Sequence, residues 1–258
     1  MKSILAIDMG ATSIRGIVAK FENDALIVEE IMRFNHEIQS SDGRKHWDWQ
    51  GLLDHIVQAI LTVGDQVSSV AVDTWGVDFG LIDENGELLE EPTSYRDESC
   101  QRGFELAQER MSLYDLYQLS GNDVAPINSL FQLLVLREQR PEVYNRAKHF
   151  LMMPDLVNYF LTGKKSGEMT SCSTSQMFNL IDGTWNEKII EQYDLKRDMF
   201  PPIVENTSYL GLTSEGLIPE LRELDIPVMS LASHDTASAA YMTESYTDPS
   251  TLFLSCGT

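Results

Sequence analysis

Hydrophobic and polar positions change period several times along the chain, and each change marks an element. A short apolar run at 3–7 reads as a buried strand and ends in the turn Asp8-Met9-Gly10-Ala11-Thr12-Ser13. Small and β-branched residues at 14–21, a turn at Glu22-Asn23-Asp24 and a further run at 25–34 predict a three-stranded antiparallel meander. Trp47, Leu52, Leu53, Ile56, Ile60 and Leu61 recur near helical spacing, which predicts an amphipathic helix over about 47–65. A strand at 69–73 follows. The run 77–82, the turn Asp83-Glu84-Asn85-Gly86 and Leu88-Leu89 then read as a hairpin, because Asn-Gly supplies the backbone freedom a tight turn needs.

Between about 100 and 195 the pattern turns helical, with candidate helices at 101–111, 113–119, 129–139, 142–147 and 155–161 broken by Gly121, Pro126, Pro141 and Gly163. A loop-rich stretch at 196–226 precedes a strand at 227–232, a helix of small residues from Ala237 and a last strand at 251–255. The order β-β-β-α-β, with a hairpin and a helical insertion, predicts an α/β chain in which helices cover a mixed sheet.

Composition changes this picture mainly by exclusion. With 258 residues, 43% hydrophobic and 23% charged, the chain can bury a core and is no disordered tail, collagen or coiled-coil rod. The 40 Asp+Glu against 19 Lys+Arg leave a net charge of −21, which repels phosphate backbones and anionic membranes and argues against nucleic acid as a partner. Cys100, Cys172 and Cys256 are widely spaced, without a CxxC pair, and favour a reducing compartment over a disulfide framework or zinc site. No apolar run approaches the ~18 residues of a membrane span. Asp8 interrupts the first apolar run too early for a signal peptide. The expectation is a soluble cytoplasmic protein without a membrane partner.

Three segments carry candidate chemistry. In Asp8-x-Gly10-Ala11-Thr12-Ser13-Ile14-Arg15, glycine allows close approach, the hydroxyls and Arg15 suit phosphate oxygens, and Asp8 suits a hydrated magnesium ion. The competing reading is a plain glycine turn, since neither the P-loop nor the dinucleotide fingerprint occurs here. Asp73-Thr74-Trp75-Gly76-Val77-Asp78-Phe79 fits a sugar pocket, with Asp73 and Asp78 accepting from hydroxyls, Trp75 packing C–H groups and Gly76 giving access; taken alone, the segment slightly favours a structural turn with a packing Trp. In Ser233-His234-Asp235-Thr236, Asp235 reads as a base with His234 beside it, or as a helix N-cap. Arg96, in Tyr95-Arg96-Asp97, reaches the pocket or pairs with a carboxylate. His36, His46, His55 and His149 are scattered and read as structural or exposed, Trp47-Asp48-Trp49 as a helix start with packing aromatics, and 83–91 as a solvated acidic hairpin.

Together these segments resemble the FGGY carbohydrate kinases of the actin-like, ribonuclease-H-like superfamily. The resemblance runs through Ala6-Ile7-Asp8-Met9-Gly10-Ala11-Thr12-Ser13-Ile14-Arg15, the Asp73–Phe79 segment, Tyr95-Arg96-Asp97, Leu151-Met152-Met153-Pro154-Asp155, Leu161-Thr162-Gly163-Lys164, Ala232 to Ala239 and Leu254-Ser255-Cys256-Gly257-Thr258, in family order. It implies a ribonuclease-H-like α/β domain with a mixed five-stranded sheet flanked by helices and a helical insertion. It assigns 1–250 to the family's N-terminal domain and 251–258 to the start of a missing C-terminal domain, the two enclosing substrates in a cleft. The activity implied is transfer of the γ-phosphoryl group of ATP, with Mg²⁺, to a ketose. The Asp73–Phe79 and Ser233–Ala239 segments match the branch that acts on L-rhamnulose; fuculose, xylulose, ribulose and glycerol are the alternatives.

By the same resemblance Asp235 is the catalytic base. Gly76, Asp73, Trp75, Asp78, Arg96, His234 and Thr236 belong to the sugar pocket. Asp8, Gly10, Ala11, Thr12, Ser13, Ile14 and Arg15 form the first phosphate segment and Thr258 opens the second. Asp8 and Asp235 hold the metal through water. A non-catalytic actin-like module and a metal-dependent nuclease on the same fold are the readings from other classes, the second opposed by the net charge of −21. The sequence leaves the oligomeric state open.

Overall fold

In the computed structural model, which describes residues 3–255, the buried side chains of Leu5, Ile7 and Met9 alternate with the less buried Ala6 and Asp8 along β1 (Ser3–Met9). The chain returns as β2 (Ser13–Glu22) and again as β3 (Ala25–Asn35), giving the antiparallel meander that the sequence predicts. Strand Val67–Thr74 lies parallel to β1 on its other side, and Pro227–Met229 lies parallel beyond that. The sheet has six strands where five were expected, because Tyr209–Leu212 closes the edge antiparallel to Pro227–Met229. That strand sits in the stretch read as loop. It is four residues long and is interrupted at Gly211 by a register shift, so no alternation is long enough to see.

Helix Trp49–Val63 covers one face of the sheet, with Leu52, Leu53, Ile56, Val57, Ala59, Ile60 and Val63 buried at helical spacing. It begins where Asp48 accepts the Gly51 N–H and stops at Gly64, whose φ is +53°. Trp47 and Trp49 are both buried around that cap, as the packing reading of Trp47-Asp48-Trp49 requires.

The expected hairpin after residue 77 forms with a short return run. Gly86 closes the turn onto Asp83, the Asp83 N–H donates to the Glu87 carbonyl and the Leu89 N–H to the Leu81 carbonyl, and strand Phe79–Ile82 also pairs antiparallel with His149–Met152. Glu84, Asn85 and Glu87 are exposed as a solvated hairpin requires, whereas Glu91 accepts the Trp49 N–H and Glu90 pairs with Arg44 and Arg140, so the end of the acidic stretch anchors neighbouring elements. From this ladder the helical insertion is built. Helices Ser99–Gln108, Leu113–Ser120, Ser129–Gln139, Pro141–Arg146 and Met153–Thr162 follow the predicted ones, and the short Met169–Ser173 and Glu187–Gln192 are additional. The insertion has its own apolar core around Phe131, Phe150, Trp185 and Tyr193, separate from the core beneath the sheet. Helix Asp235–Tyr241 starts two residues before Ala237, and residues 251–255 do not form the expected strand.

Two insertion helices touch backbone to backbone at Gly103. A Cβ there would stand 1.9 Å from the Phe131 carbonyl oxygen, which belongs to a helix buried on nearly every side. Gly103→Ala is therefore expected to lower stability by about 3 kcal/mol, the upper end of overpacking costs, read as a reduced urea midpoint at unchanged m-value. A midpoint equal to the wild type would show that the helices separate without penalty.

Candidate active site

The parallel register of β1 with Val67–Thr74 sets Asp8 beside Asp73, and the antiparallel register with β2 sets Asp8 beside Arg15. All three side chains leave the same face of the sheet, because directly paired residues share a face. One step further along, the Thr74 N–H donates to the Ser233 carbonyl at 2.9 Å and Thr74 bridges His234. The segment Ser233-His234-Asp235 is thereby held against the same strand end. Residues 8, 73 and 235, far apart in the chain, meet.

Their electrostatics follow from that meeting. Burial pushes the Asp73 carboxyl up to about 7, with Asp8 and then Asp235 adding to the rise and Arg15 opposing it. Asp8 is also raised, by burial first, against the pull of Arg15, whose Nη1 donates to Asp8 Oδ2 at 3.1 Å. Asp73 Oδ1 is buried without a partner. Three carboxylates face one close arginine, and the orphaned oxygen calls for a donor or cation from outside the chain. An all-carboxylate donor set with an orphaned oxygen suits a hard, oxygen-coordinated cation such as Mg²⁺.

The turn from Asp8 to Ser13 is fixed from below. Gly10 N–H donates to the Ser13 carbonyl, the His36 N–H to the Thr12 carbonyl, and His36 Nε2 to the Gly10 carbonyl at 2.9 Å. Gly10, Ala11 and Thr12 keep exposed surface, whereas Ser13 is buried and Ile14 lies in the core, so these two can offer only backbone to a ligand. His36, read as structural or exposed, thus holds the Asp8–Ser13 turn, and its ring also stands against Trp47 and Trp75.

The Asp73–Phe79 segment divides into a floor and a surface. Asp78 is fully buried: Trp47 Nε1 and Trp75 Nε1 donate to its Oδ2 at 2.6 and 2.9 Å, and Gln132 Nε2 donates to its Oδ1 at 2.9 Å. With its oxygens so used, Asp78 supports the pocket from beneath, and burial still pushes its carboxyl up to about 6. Trp75 is buried too and packs on Trp47. Gly76 is the surface member: a Cβ there would stand 3.1 Å from His234 Nε2, so a larger residue would press on the imidazole, which would have to shift. Arg96 is exposed and its guanidinium meets the Tyr95 hydroxyl, with no carboxylate partner among the described residues.

Asp235 is the first residue of its helix, and His234 occupies the cap position without a capping side-chain bond, so the N-cap reading of Asp235 does not hold. Asp235 Oδ1 accepts from the Thr236 backbone N–H and hydroxyl, while Oδ2 has no partner among the described residues. His234 Nε2 lies 3.6 Å from Asp235 Oδ1, and burial lowers its pKa and favours the neutral ring.

Sequence reasoning missed the supports. Glu168 Oε2 accepts from Thr170 N and Oγ1, Ser171 N and Ser233 N, and Thr170 Oγ1 accepts the His234 N–H, so a short helix of the insertion carries the His234-Asp235 segment. Glutamate is not among the preferred N-cap residues, so no sequence signal points to Glu168, although its side chain caps Met169–Ser173 in the structure. Trp47, Gln132 and Thr174 join the site only through tertiary contact. Thr258 lies outside the described residues.

A ribonuclease-H-like sheet with acidic strand ends facing a late His-Asp segment defines the actin-like class of fold. Residues 3–241 match the model of the FGGY family of carbohydrate kinases, N-terminal domain, and the chain belongs to that family. Among solved structures it is similar to xylulose kinase from Lactobacillus acidophilus, with a TM-score of 0.75 at 17% identity over 89% of this chain and 48% of that one. It is also similar to a carbohydrate kinase from Novosphingobium aromaticivorans, with a TM-score of 0.72 at 20% identity over 92% of this chain and 50% of that one. Glycerol kinase from Plasmodium falciparum with ADP gives a TM-score of 0.72 at 17% identity over 90% and 48%. At these identities the likeness concerns the fold, and the chain spans about half the length of each of these kinases.

Proposed function

We propose that this chain is the sugar-binding half of a rhamnulokinase, which transfers the γ-phosphoryl group of ATP to a hydroxyl of L-rhamnulose and yields L-rhamnulose 1-phosphate in the cytoplasm. Residues 1–250 form the first domain and 251–258 lead into a second that completes the nucleotide site. The observation that carries the reading is the Thr74–Ser233 hydrogen bond, which joins Gly76, His234 and Asp235 to the Asp8–Arg15 turn across one strand end.

The division of labour in this reading takes its roles from the family resemblance and is supported by the geometry. Gly76 and His234 border the sugar, with Thr236 and Asp73 beside them, over the buried floor of Trp75 and Asp78; Arg96 is added by the family resemblance alone. Asp235 accepts the proton of the attacking hydroxyl at its free Oδ2. Gly10, Ala11 and Thr12 present the turn to phosphate oxygens, and Arg15 supplies fixed positive charge. Asp8 and Asp235 would hold Mg²⁺ through water, and the bound ion supplies neutralising charge to the ATP phosphates. Most of the acceleration comes from positioning, so a single domain with one wall of the cleft is expected to be idle.

The test is a coupled ADP-release assay on the complete protein with L-rhamnulose, L-fuculose, xylulose, ribulose and glycerol, beside the 258-residue chain. Selective turnover of L-rhamnulose by the complete protein alone is expected. Preference for another acceptor reassigns the sugar. No turnover on any of them leaves the actin-like binding module as the better account.

A further inference from the structure

Val77 is a β-branched residue at φ +69°, a conformation that costs of order 1–3 kcal/mol and persists only where its surroundings impose it. It is the centre of a three-residue turn closed by the Asp78 N–H on the Gly76 carbonyl at 2.9 Å. The imposing groups come from the helical insertion. Thr174 Oγ1 accepts the Val77 N–H at 2.9 Å and in turn donates to the Ser171 carbonyl at 2.8 Å. On the other side of the same residue, Ser129 Oγ donates to the Val77 carbonyl at 2.5 Å and Gln132 Nε2 at 3.3 Å.

Thr174 does a second thing with its other branch. Its Cγ2 would stand 3.0 Å from a Cβ at Gly76, on the surface where the His234 ring stands at 3.1 Å. Gly76, Thr174 and His234 are all partly exposed. One side chain therefore grips the strained turn by its hydroxyl and walls the glycine by its methyl.

We infer that Thr174 is a positioning residue for the sugar: its hydroxyl holds the Gly76-Val77-Asp78 turn in the one conformation that presents Gly76 to the ligand beside His234. This rests on the reading of Gly76 and His234 as sugar-pocket residues. Two features separate it from a merely structural role. The strain at Val77 is local and adjoins the pocket, and the hydroxyl acts on the turn without touching the phosphate segment, so its loss falls on the sugar and not on the nucleotide.

The experiment measures KM for the ketose and for ATP in the complete protein and its variants. Thr174→Val keeps the shape and the methyl and removes the acceptor, leaving the Val77 N–H unpaired. It is expected to raise the ketose KM about tenfold, the scale of one buried hydrogen bond, with KM for ATP unchanged. Thr174→Ser restores the hydroxyl and is expected to return the ketose KM to near the wild-type value. Ser129→Ala, which removes another grip on the same turn, is expected to raise the ketose KM as well and gives an independent reading if Thr174→Val does not fold. A folded Thr174→Val, or Ser129→Ala in its place, with wild-type ketose KM overturns the inference. So does an equal rise in the two KM values, or a Thr174→Ser as impaired as Thr174→Val. The wild-type arm keeps the two readings apart: turnover of a ketose other than L-rhamnulose corrects the sugar while the variant ratios still decide on Thr174, and a wild type idle on every sugar ends both.

Discussion

Replacing Asp235 with Asn in the complete protein is expected to lower kcat at least ~10²-fold, with a much smaller change in the KM of either substrate. The amide has nearly the size of the carboxylate, so the bonds that Thr236 donates to Oδ1 and the neighbouring His234 stay in place. What disappears is the lone pair on Oδ2, which no group among the described residues occupies and which an attacking hydroxyl would protonate. The loss is bounded from above because charge stabilisation and positioning of ATP remain. A variant with near-normal kcat would remove Asp235 from the role of base and leave it as a substrate or metal-shell contact.

The second large effect is on stability. Asp78→Ala is expected to cost about 3–5 kcal/mol, because it leaves Trp47 Nε1, Trp75 Nε1 and Gln132 Nε2 facing a void in a fully buried place. Asp78→Asn is expected to cost far less. Its carbonyl can still accept from both indoles, and its amide can meet Gln132 Oε1, which is buried without a partner, if that side chain turns over. The two variants also differ from the wild type in pH dependence. Burial raises the folded-state pKa of Asp78 from 3.8 to about 6, so the folded chain holds this proton more tightly than the unfolded one. The resulting stability is fully present below about pH 4 and is lost as pH rises through about 6, a swing of about 3 kcal/mol for a shift of this size. Asp78→Asn has no proton to lose there. Its stability relative to the wild type should climb across that window, and urea unfolding at several pH values reads it. A constant difference from pH 4 to 8 would mean that the carboxylate is ionised throughout and satisfied by its donors, the Tyr95 backbone N–H among them.

The chain announces its first strand and first helix because their burial repeats with a fixed period, and its insertion helices because Gly and Pro mark their ends. Leu5, Ile7 and Met9 are legible as one face of a strand; Tyr209–Leu212 is not, being a short edge broken at Gly211. The site divides the same way. Asp8, Asp73, Gly76 and Asp235 stand out as acidic or flexible residues at the ends of apolar runs, and the sheet register does bring them together. Their supports are invisible in one dimension, because nothing in the order of residues says that Trp47 meets Asp78, that Glu168 carries Ser233, or that Thr174 grips Val77. For the same reason Asp78 reads as a pocket residue from its place in a motif, whereas burial makes it a floor.

The most direct measurement is a crystal structure of the complete protein with L-rhamnulose and ADP bound. The account predicts the ketose over Gly76, beside His234, with its attacking hydroxyl within hydrogen-bond distance of Asp235 Oδ2 and directed toward the phosphate turn at Gly10 to Thr12. A sugar seated elsewhere, or one whose nearest hydroxyl to the phosphate turn has no contact with Asp235, would contradict it.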